Sequence, residues 1–181
     1  SIPATNTDYY PLQVMNYKLG GSFSGKVNLV LREEKGYTYG ARTSFDGNEY
    51  AGTFSASSSV RSSATGESVQ IFKDIMTNYR NGITDEELQF TKNALLKSNA
   101  LRFETLWSLI GMLQEVSTYA KPFDYIKQEE ATIVGMTNDK LKELAQKHLN
   151  PDKMYYVIVG DAKTQAPIIK KLKIGDVEIV K

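Results

Sequence analysis

The apolar positions between Gly20 and Arg42 predict a helix that leads directly into a strand. The apolar residues of this helix, which covers about Ser24–Glu34, recur at spacings of three or four: Phe23, Val27, Val30 and Leu31. At about 100° per residue, Arg32 points roughly 180° away from Phe23, so it is not a core position. Gly36 breaks the helix, and the aromatic run after it has the composition of a strand. Arg32 therefore lies at a helix end, and Tyr39 follows seven residues later, just past the turn.

The remaining patterns predict a chain in which helices outnumber strands. In chain order they are a helix from Thr7 or Asp8 to Gly20-Gly21, the helix above, a hairpin with arms Tyr37–Phe45 and Tyr50–Val60 around Asp46-Gly47-Asn48, and helices over Thr65–Tyr79, Thr84–Leu101, Phe103–Tyr119, Tyr125–Val134 and Asp139–His148. The apolar run Met154–Val159 predicts a buried strand. A short helix around Gln165–Leu172 and a strand around Val177–Val180 complete the chain.

This order indicates an α+β fold with an antiparallel or mixed sheet covered by helices. No internal repeat or linker divides the sequence, so residues 1–181 are interpreted as a single domain. The break near Lys121-Pro122 is the best candidate for a subdomain boundary.

The composition excludes several classes of binding site and of catalytic site. The net charge of +1 provides no electrostatic bias toward nucleic acid, and no apolar run is long enough to insert into a membrane. The absence of cysteine excludes disulfides, thiolate zinc sites and a cysteine nucleophile. The one histidine, His148, cannot form a zinc site alone, and nothing around it suggests a catalytic triad. A surface histidine near a helix end is the expected interpretation.

The stretch GGSFSGKVNLVLREEKGYTYGAR resembles the signature of the carboxy-terminal, non-zinc half of the pitrilysin-type zinc metallopeptidases. That family includes insulin-degrading enzyme and the mitochondrial processing peptidases. Weaker matches follow in the same order and extend the resemblance over nearly the whole chain: Val60-Arg61, Thr84–Leu88, Arg102–Thr105, Asn150–Asp152 and Tyr156–Asp161.

The resemblance implies two related α+β halves that close around a peptide. The amino-terminal half carries a His-x-x-Glu-His zinc site, and the carboxy-terminal half contributes an arginine and a tyrosine, seven positions apart, that reach the substrate. Arg32 and Tyr39 match this pair. Tyr37 stands where the family more often has an aliphatic residue, and it is a second choice as a substrate-binding residue. No His-x-x-Glu-His motif occurs here, so the zinc is expected on another domain or subunit.

The implied function is the substrate-binding, cleft-closing half of a zinc endopeptidase, with Arg32 and Tyr39 contacting the substrate or the oxyanion. This chain alone is expected to be inactive and to bind no cofactor. Other interpretations stay open: Arg32 as a solvated helix end, Tyr39 as a cross-strand packing residue, and the whole chain as a non-catalytic scaffold subunit of the same fold. A free-standing nucleic-acid-binding module is disfavoured by the neutral charge balance.

The resemblance also implies partners. The expected ones are the zinc half and a peptide substrate. Because the family half begins with strands before the first helix predicted here, the sheet is expected to expose an unpaired edge, through which the isolated fragment would form a homodimer. Many bacterial relatives are exported, which favours a periplasmic or exported location, although the residues themselves do not define a compartment.

Overall fold

The computed structural model describes residues 1–180, apart from the side chain of residue 100. Helices α1 and α2 each continue into a π-helical turn: α1 is Tyr9–Asn16 followed by Tyr17–Gly21, and α2 is Lys26–Asn28 followed by Leu29–Glu34. Strands β1 (Thr38–Asp46) and β2 (Thr53–Val60) come next, and a 3₁₀ turn, Ser62–Ala64, leads to the remaining helices. These are α3 (Thr65–Tyr79), α4 (Asp85–Leu101), α5 (Leu106–Tyr119), α6 (Tyr125–Gly135), α7 (Asn138–His148) and, after a 3₁₀ turn at Pro151–Lys153, α8 (Ala162–Lys171). The α+β prediction is confirmed.

Strands β1 and β2 form an antiparallel pair in which Phe45 lies opposite Phe54. The other edge of β1 is covered by polar side chains of the first two helices, each of which bonds a backbone group of the strand. The bonds run from Asn16 Nδ2 to Thr43 O at 2.9 Å, from Gln13 Nε2 to Phe45 O at 2.7 Å and from Ala41 N to Asn28 Oδ1 at 3.0 Å. Because buried backbone groups need partners, these side chains complete the sheet on that side.

The core forms where α1 and α7 meet the inner face of the sheet. Both helices contribute fully buried residues to it, as the helical spacing of their apolar residues predicts, among them Leu12, Met15, Leu141 and Leu144. Phe45 of β1 is buried in the same cluster. Burying large aliphatic side chains is the main favourable contribution to folding, so this cluster is the part of the molecule that holds the other elements in place.

Several local predictions are confirmed by hydrogen bonds. The capping box at the start of α4 is reciprocal: Thr84 N donates to Glu87 Oε2 and Glu87 N donates to Thr84 Oγ1, both at 3.2 Å. Thr137 caps α7 by accepting from Lys140 N at 3.1 Å. Gly36 ends the second helix with a φ of 62°, a left-handed conformation that favours glycine.

Two strand predictions are wrong. Met154–Val159 pairs with no strand among the described residues, and alternate side chains of this segment, Tyr155, Val157 and Val159, are exposed instead of buried. Val177–Val180 is also unpaired, with Ile179 and Val180 exposed. Apolar content indicates that a surface favours being covered, but within residues 1–180 no neighbouring strand covers either segment.

Two further expectations need correction. The hairpin connection is longer than the three-residue turn predicted, because β2 begins only at Thr53. The helix predicted over Phe103–Tyr119 begins at Leu106 and has no buried residue, and most of its large apolar side chains are exposed. No helix within residues 1–180 is long and apolar enough to cross a bilayer. The single-domain interpretation and the subdomain boundary near Lys121-Pro122 stay predictions.

Candidate functional site

Arg32 lies in the π-helical turn that ends the second helix. The wider turn is visible in the bond from Lys35 N to Val30 O at 3.0 Å, which spans five residues instead of four. Val27 and Leu31 of this helix are fully buried and fix it against the body of the protein. Arg32 follows the last buried position, so its side chain emerges at the surface beside the start of β1.

The predicted opposition of Arg32 and Phe23 is wrong. Phe23 precedes the helix, which begins at Lys26, and its side chain is 68% exposed. The guanidinium carbon of Arg32 lies 4.5 Å from the centre of the Phe23 ring, so the two side chains stack. The 100° rule failed because Phe23 is outside the helix and because a π-helical turn advances less per residue than an α-helical one. Arg32 also forms an ion pair with Glu33, with Nη1 and Oε1 2.7 Å apart.

Tyr39 points outward because β1 is irregular at this point. Ala41, Thr43 and Phe45 face inward at every second position, and the same alternation would bury residue 39. The register between β1 and β2 shifts between Thr38 and Ala41, and the side chain of Tyr39 is 99% exposed. A bulge that turns a side chain to the other face is a recurrent device next to functional sites. This exposure does not fit the alternative interpretation of Tyr39 as a cross-strand packing residue.

Polar side chains hold the irregular part of β1 in place. Gly40 N donates to Thr38 Oγ1 at 3.0 Å, and Ser58 Oγ of β2 lies 2.9 Å from both Thr38 Oγ1 and Gly40 O. These contacts replace the ladder bonds that the shift in register removes, so the backbone groups around Tyr39 retain partners. Glycine inside a strand is a sequence signal for a bulge, and Gly40 carried that signal.

Arg32 and Tyr39 line the same open surface cleft, which has a volume of about 550 Å³. The other lining residues come from the turn between α2 and β1 and from the end of β2: Glu33, Gly36, Tyr37, Thr38, Ser59 and Arg61. The structure therefore brings all three sequence-predicted site residues, Arg32, Tyr37 and Tyr39, to one cleft.

Tyr37 differs from Tyr39 because its hydroxyl already has a partner. Tyr37 Oη donates to Glu67 Oε2 of α3 at 2.6 Å, and Lys35 Nζ lies 2.8 Å from the other oxygen of that carboxylate. The hydrogen bond from Lys35 lowers the pKa of Glu67, while the hydrogen bond to Glu67 raises the pKa of Tyr37. Arg61 stacks on the Tyr37 ring at 4.8 Å. Tyr37 thus presents ring surface to the cleft and a bound hydroxyl to α3.

Asn28 connects the loop that carries Phe23 to strand β1. Sequence reasoning did not identify this residue. Its side chain is buried, donates from Nδ2 to Phe23 O at 2.8 Å and accepts from Ala41 N at 3.0 Å. It therefore fixes the residue on which Arg32 stacks relative to the strand that carries Tyr39. The available signal was an asparagine next to a buried position of an apolar helix face, which needs hydrogen-bond partners if it is buried.

The described residues contain no cluster of three or more His, Cys, Asp or Glu side chains that could hold a metal ion. His148 lies at the end of α7, where its Nε2 is 3.2 Å from Asp8 Oδ2, and Lys147 Nζ contacts the same oxygen at 2.6 Å. The ion pair with Lys147 is the main reason why the pKa of Asp8 lies below its usual value. His148 therefore joins α7 to the start of α1, far in the sequence from the cleft residues.

An α+β chain that presents an arginine and a tyrosine in one cleft has the fold and the paired side chains that the sequence resemblance predicts. A family model described as "Peptidase M16 inactive domain" matches residues 2–95. The chain belongs to this family, and the sequence resemblance is confirmed.

Individual relatives agree with this assignment. The "Non-peptidase homolog YmxG" of Helicobacter pylori is 24% identical over 152 residues, which are 83% of this chain and 35% of that protein. A crystal structure of a peptidase M16 inactive domain from Pseudomonas fluorescens is 26% identical, with a TM-score of 0.76 over 82% of this chain and 36% of that one. A candidate zinc protease from Bordetella pertussis, 12% identical with a TM-score of 0.62, shares the fold over 82% of this chain and 83% of its own. The chain spans about a third of the length of the first two relatives.

Proposed function

We propose that this chain is the substrate-binding, cleft-closing half of a zinc-dependent endopeptidase. The observation that carries the proposal is the shared cleft, in which Arg32 and the fully exposed Tyr39 lie together on a domain of the M16 inactive family. The zinc ion and the amino-terminal half that binds it are supplied by another part of a longer protein or by a partner subunit. Peptide hydrolysis then takes place between the two halves.

The roles of Arg32 and Tyr39 follow from the chemistry of the reaction. Zinc on the other half would supply an activated water molecule and polarise the scissile carbonyl, and the negative charge that develops on the carbonyl oxygen would need hydrogen-bond donors. The exposed hydroxyl of Tyr39 is available to donate to that oxyanion. Arg32 makes charge-assisted bonds to peptide carbonyl groups. Its present ion pair with Glu33 is partly exposed, and such pairs contribute about 0–1 kcal/mol, so a substrate can replace it.

Tyr37 has a supporting role in this proposal. Because its hydroxyl is bound to Glu67, it contacts substrate through its ring and not as a donor to the oxyanion. Replacing Tyr37 by Phe removes only the bond to Glu67, so cleavage should change far less than in the Tyr39→Phe variant.

The test is mutation of the pair in the complete enzyme, with both halves present. Tyr39→Phe should lower kcat/KM for peptide cleavage by about 100-fold, since losing one oxyanion donor costs about 3 kcal/mol in the transition state. Arg32→Ala should lower it by about 10- to 100-fold, because it removes charge-assisted bonds to the substrate. Zinc content should not change. Matched controls are Arg42→Ala and Tyr50→Phe, because both side chains are exposed but line no part of this cleft. If both test variants turn over like the wild type, the assigned roles are wrong.

The isolated chain provides an independent check. It should bind no zinc after dialysis and should cleave no peptide, since its single histidine cannot form a His-x-x-Glu-His site. Metal analysis that finds stoichiometric zinc together with peptidase activity would contradict the proposal.

A scaffold subunit of the same fold is the alternative function; one similar protein, from Helicobacter pylori, is described as a non-peptidase homolog. A scaffold has no need for an exposed arginine and tyrosine in one cleft. Identifying the polypeptide or subunit that pairs with this chain distinguishes the two functions. A His-x-x-Glu-His motif there supports the enzyme, and its absence from every partner supports the scaffold.

The predicted homodimer of the isolated chain also belongs to this proposal. Among the described residues, strand β2 pairs only with β1, so its outer edge presents backbone groups that a second copy can bond in the absence of another partner. Light scattering at high protein concentration should show a dimer, and a monomer under those conditions would remove this prediction.

A further inference from the structure

The cleft that contains Tyr39 has a cationic side chain that no carboxylate among the described residues balances. The charged residues that line this cleft are Arg32, Glu33 and Arg61. Arg32 and Glu33 form an ion pair at 2.7 Å. Arg61 is exposed and forms no ion pair within residues 1–180. The lining residues therefore leave one positive charge without a counter-charge.

Glu67 of α3 does not supply that counter-charge, because both of its carboxylate oxygens are already bonded. Lys35 Nζ contacts Oε1 at 2.8 Å, and Tyr37 Oη donates to Oε2 at 2.6 Å. Arg61 lies instead over the ring of Tyr37, with its guanidinium carbon 4.8 Å from the ring centre. A planar guanidinium stacks on an aromatic ring by its face and offers the N–H groups at its edge to a carboxylate.

The backbone at the end of β2 fixes the place of Arg61. The strand ends at Val60, and Arg61 continues in an extended conformation with a φ of −61° and a ψ of 142°. Its N–H donates to Tyr37 O at 3.2 Å, so it lies beside Tyr37. Side chains two residues apart in an extended chain point to the same face, and Ser59 and Arg61 both line the cleft. Arg61 is thus positioned by backbone bonds, and its guanidinium remains exposed to a ligand.

We propose that Arg61 determines specificity by binding a carboxylate of the peptide substrate, an inference that rests on the proposed peptide-binding function of the cleft. Arginine binds a carboxylate through two parallel N–H···O bonds, and a neutral amide offers only one acceptor oxygen for such a pair. The hydroxyl of Ser59, on the same face, is a second donor. An Asp or Glu side chain and the C-terminus of a peptide present the same carboxylate chemistry.

The position of Arg61 also indicates where the carboxylate lies in the substrate. Arg61 is beside Tyr37, which is two residues from Tyr39, and two residues of extended chain span about 6–7 Å. An extended peptide covers the same length with two of its own residues. Because Tyr39 is proposed to contact the oxyanion, the carboxylate should lie about two to three residues from the bond that is cleaved.

Equilibrium binding of peptides tests this site without requiring cleavage. Fluorescence anisotropy is measured with the complete enzyme after dialysis against a chelator, so that bound peptides stay intact. The probes are short labelled peptides of one sequence, with Asp or Asn at a single position that is moved along the peptide, and with a free or an amidated C-terminus. Either the Asp peptide or the free-acid peptide should bind about 5- to 10-fold more tightly than its neutral counterpart, and less so as ionic strength rises. The first result assigns the carboxylate to a side chain and the second to the C-terminus, whereas equal affinities throughout overturn the proposal.

Variants of Arg61 test whether this residue causes the preference. Arg61→Gln should bring the ratio of the two affinities close to one, and Arg61→Glu should favour a Lys peptide over the matching Asp peptide. Arg42→Ala is the matched control and should keep the preference, because this arginine is exposed but lines no part of the cleft. A preference that stays at the wild-type value in both Arg61 variants would assign the carboxylate to another cation, such as Arg32, and overturn the proposal.

Cleavage assays with zinc present distinguish a failure of this inference from a failure of the proposed function. Peptides that bind with the acidic preference but are not cleaved support the Arg61 site and contradict the zinc endopeptidase. Cleavage of acidic and neutral peptides with equal kcat/KM, together with equal affinities, contradicts the Arg61 site and leaves the endopeptidase supported.

Discussion

Helices α5 and α7 are both capped by threonine and both carry apolar residues at helical spacing, but their environments differ. In α7, Leu141, Leu144 and Ala145 are buried against α1. In α5, which is the more apolar of the two, no residue is buried, and Leu106 is 73% exposed. Apolar content therefore predicts that a surface is suited to being covered. Whether it is covered within residues 1–180 depends on which other elements lie against it.

The same difference between covered and uncovered surfaces is seen when β1 is compared with the segment Met154–Val159. β1 has a covered edge because α1 and α2 bring asparagine and glutamine side chains to its backbone groups. Met154–Val159 is richer in β-branched and aromatic residues than β1, yet its backbone is unpaired within the described residues. Within residues 1–180, side chains cover the outer edge of β1, whereas nothing covers the backbone of Met154–Val159.

The largest expected effect on stability comes from the same substitution, leucine to alanine, made once in α7 and once in α5. Leu144→Ala removes a fully buried side chain and should lower the free energy of unfolding by about 2–5 kcal/mol, because a cavity remains. Leu106→Ala removes an exposed side chain and should change it by less than about 0.5 kcal/mol. Urea unfolding followed by circular dichroism measures both. Equal losses in the two variants would show that α5 is packed in solution as tightly as α7.

The next effect concerns the covered edge of β1. Asn28→Ala leaves Ala41 N and Phe23 O without their partner in a buried place, and should cost about 1–3 kcal/mol. Asn93→Ala on the exposed face of α4 is the matched control, with an expected change below about 0.5 kcal/mol. Chemical denaturation again measures the difference. A neutral Asn28→Ala would mean that water replaces the side chain at this edge.

The helices were largely predictable because their signals are local. The capping box at Thr84, the threonine cap of α7 and the glycine at 36 are each satisfied by neighbours within a few residues. The two strands predicted after α7 are absent among the described residues, because a strand needs a partner that the pattern of its own residues does not identify.

The candidate site was predictable in its residues but not in its geometry. The resemblance selected Arg32 and Tyr39, and both line one cleft. Their orientations depend on a π-helical turn and on a bulge, which shift the periodicities of 3.6 and 2 that sequence reasoning assumes. The stacking of Arg32 on Phe23 is the clearest consequence.

The threonine caps of α5 and α7 allow a finer test of the same comparison. Thr105 and Thr137 each accept a bond from a backbone N–H at 3.1 Å, from Ser108 and Lys140 respectively. Thr137→Ala should lower the free energy of global unfolding by about 1 kcal/mol, because α7 is part of the core. Thr105→Ala should leave global unfolding unchanged and only increase amide exchange at the start of α5. A global loss in both variants would show that α5 unfolds together with the core.

The smallest effect is a pH dependence at the cleft. Lys35 and Tyr37 both bond Glu67, and the pKa of this carboxyl is lowered, chiefly by the hydrogen bond from Lys35. A lowered pKa in the folded state means that the contribution to stability is present above the ordinary value, about 4.3, and is lost as the pH falls through the folded value below it. Glu67→Gln should therefore reduce Tm slightly at pH 7, and the difference from wild type should vanish in acid. Glu49→Gln, in the exposed hairpin connection, should show no such pH-dependent difference. A Glu67→Gln difference that persists at low pH would mean that the Gln side chain disturbs the cleft by its shape and not by the loss of charge.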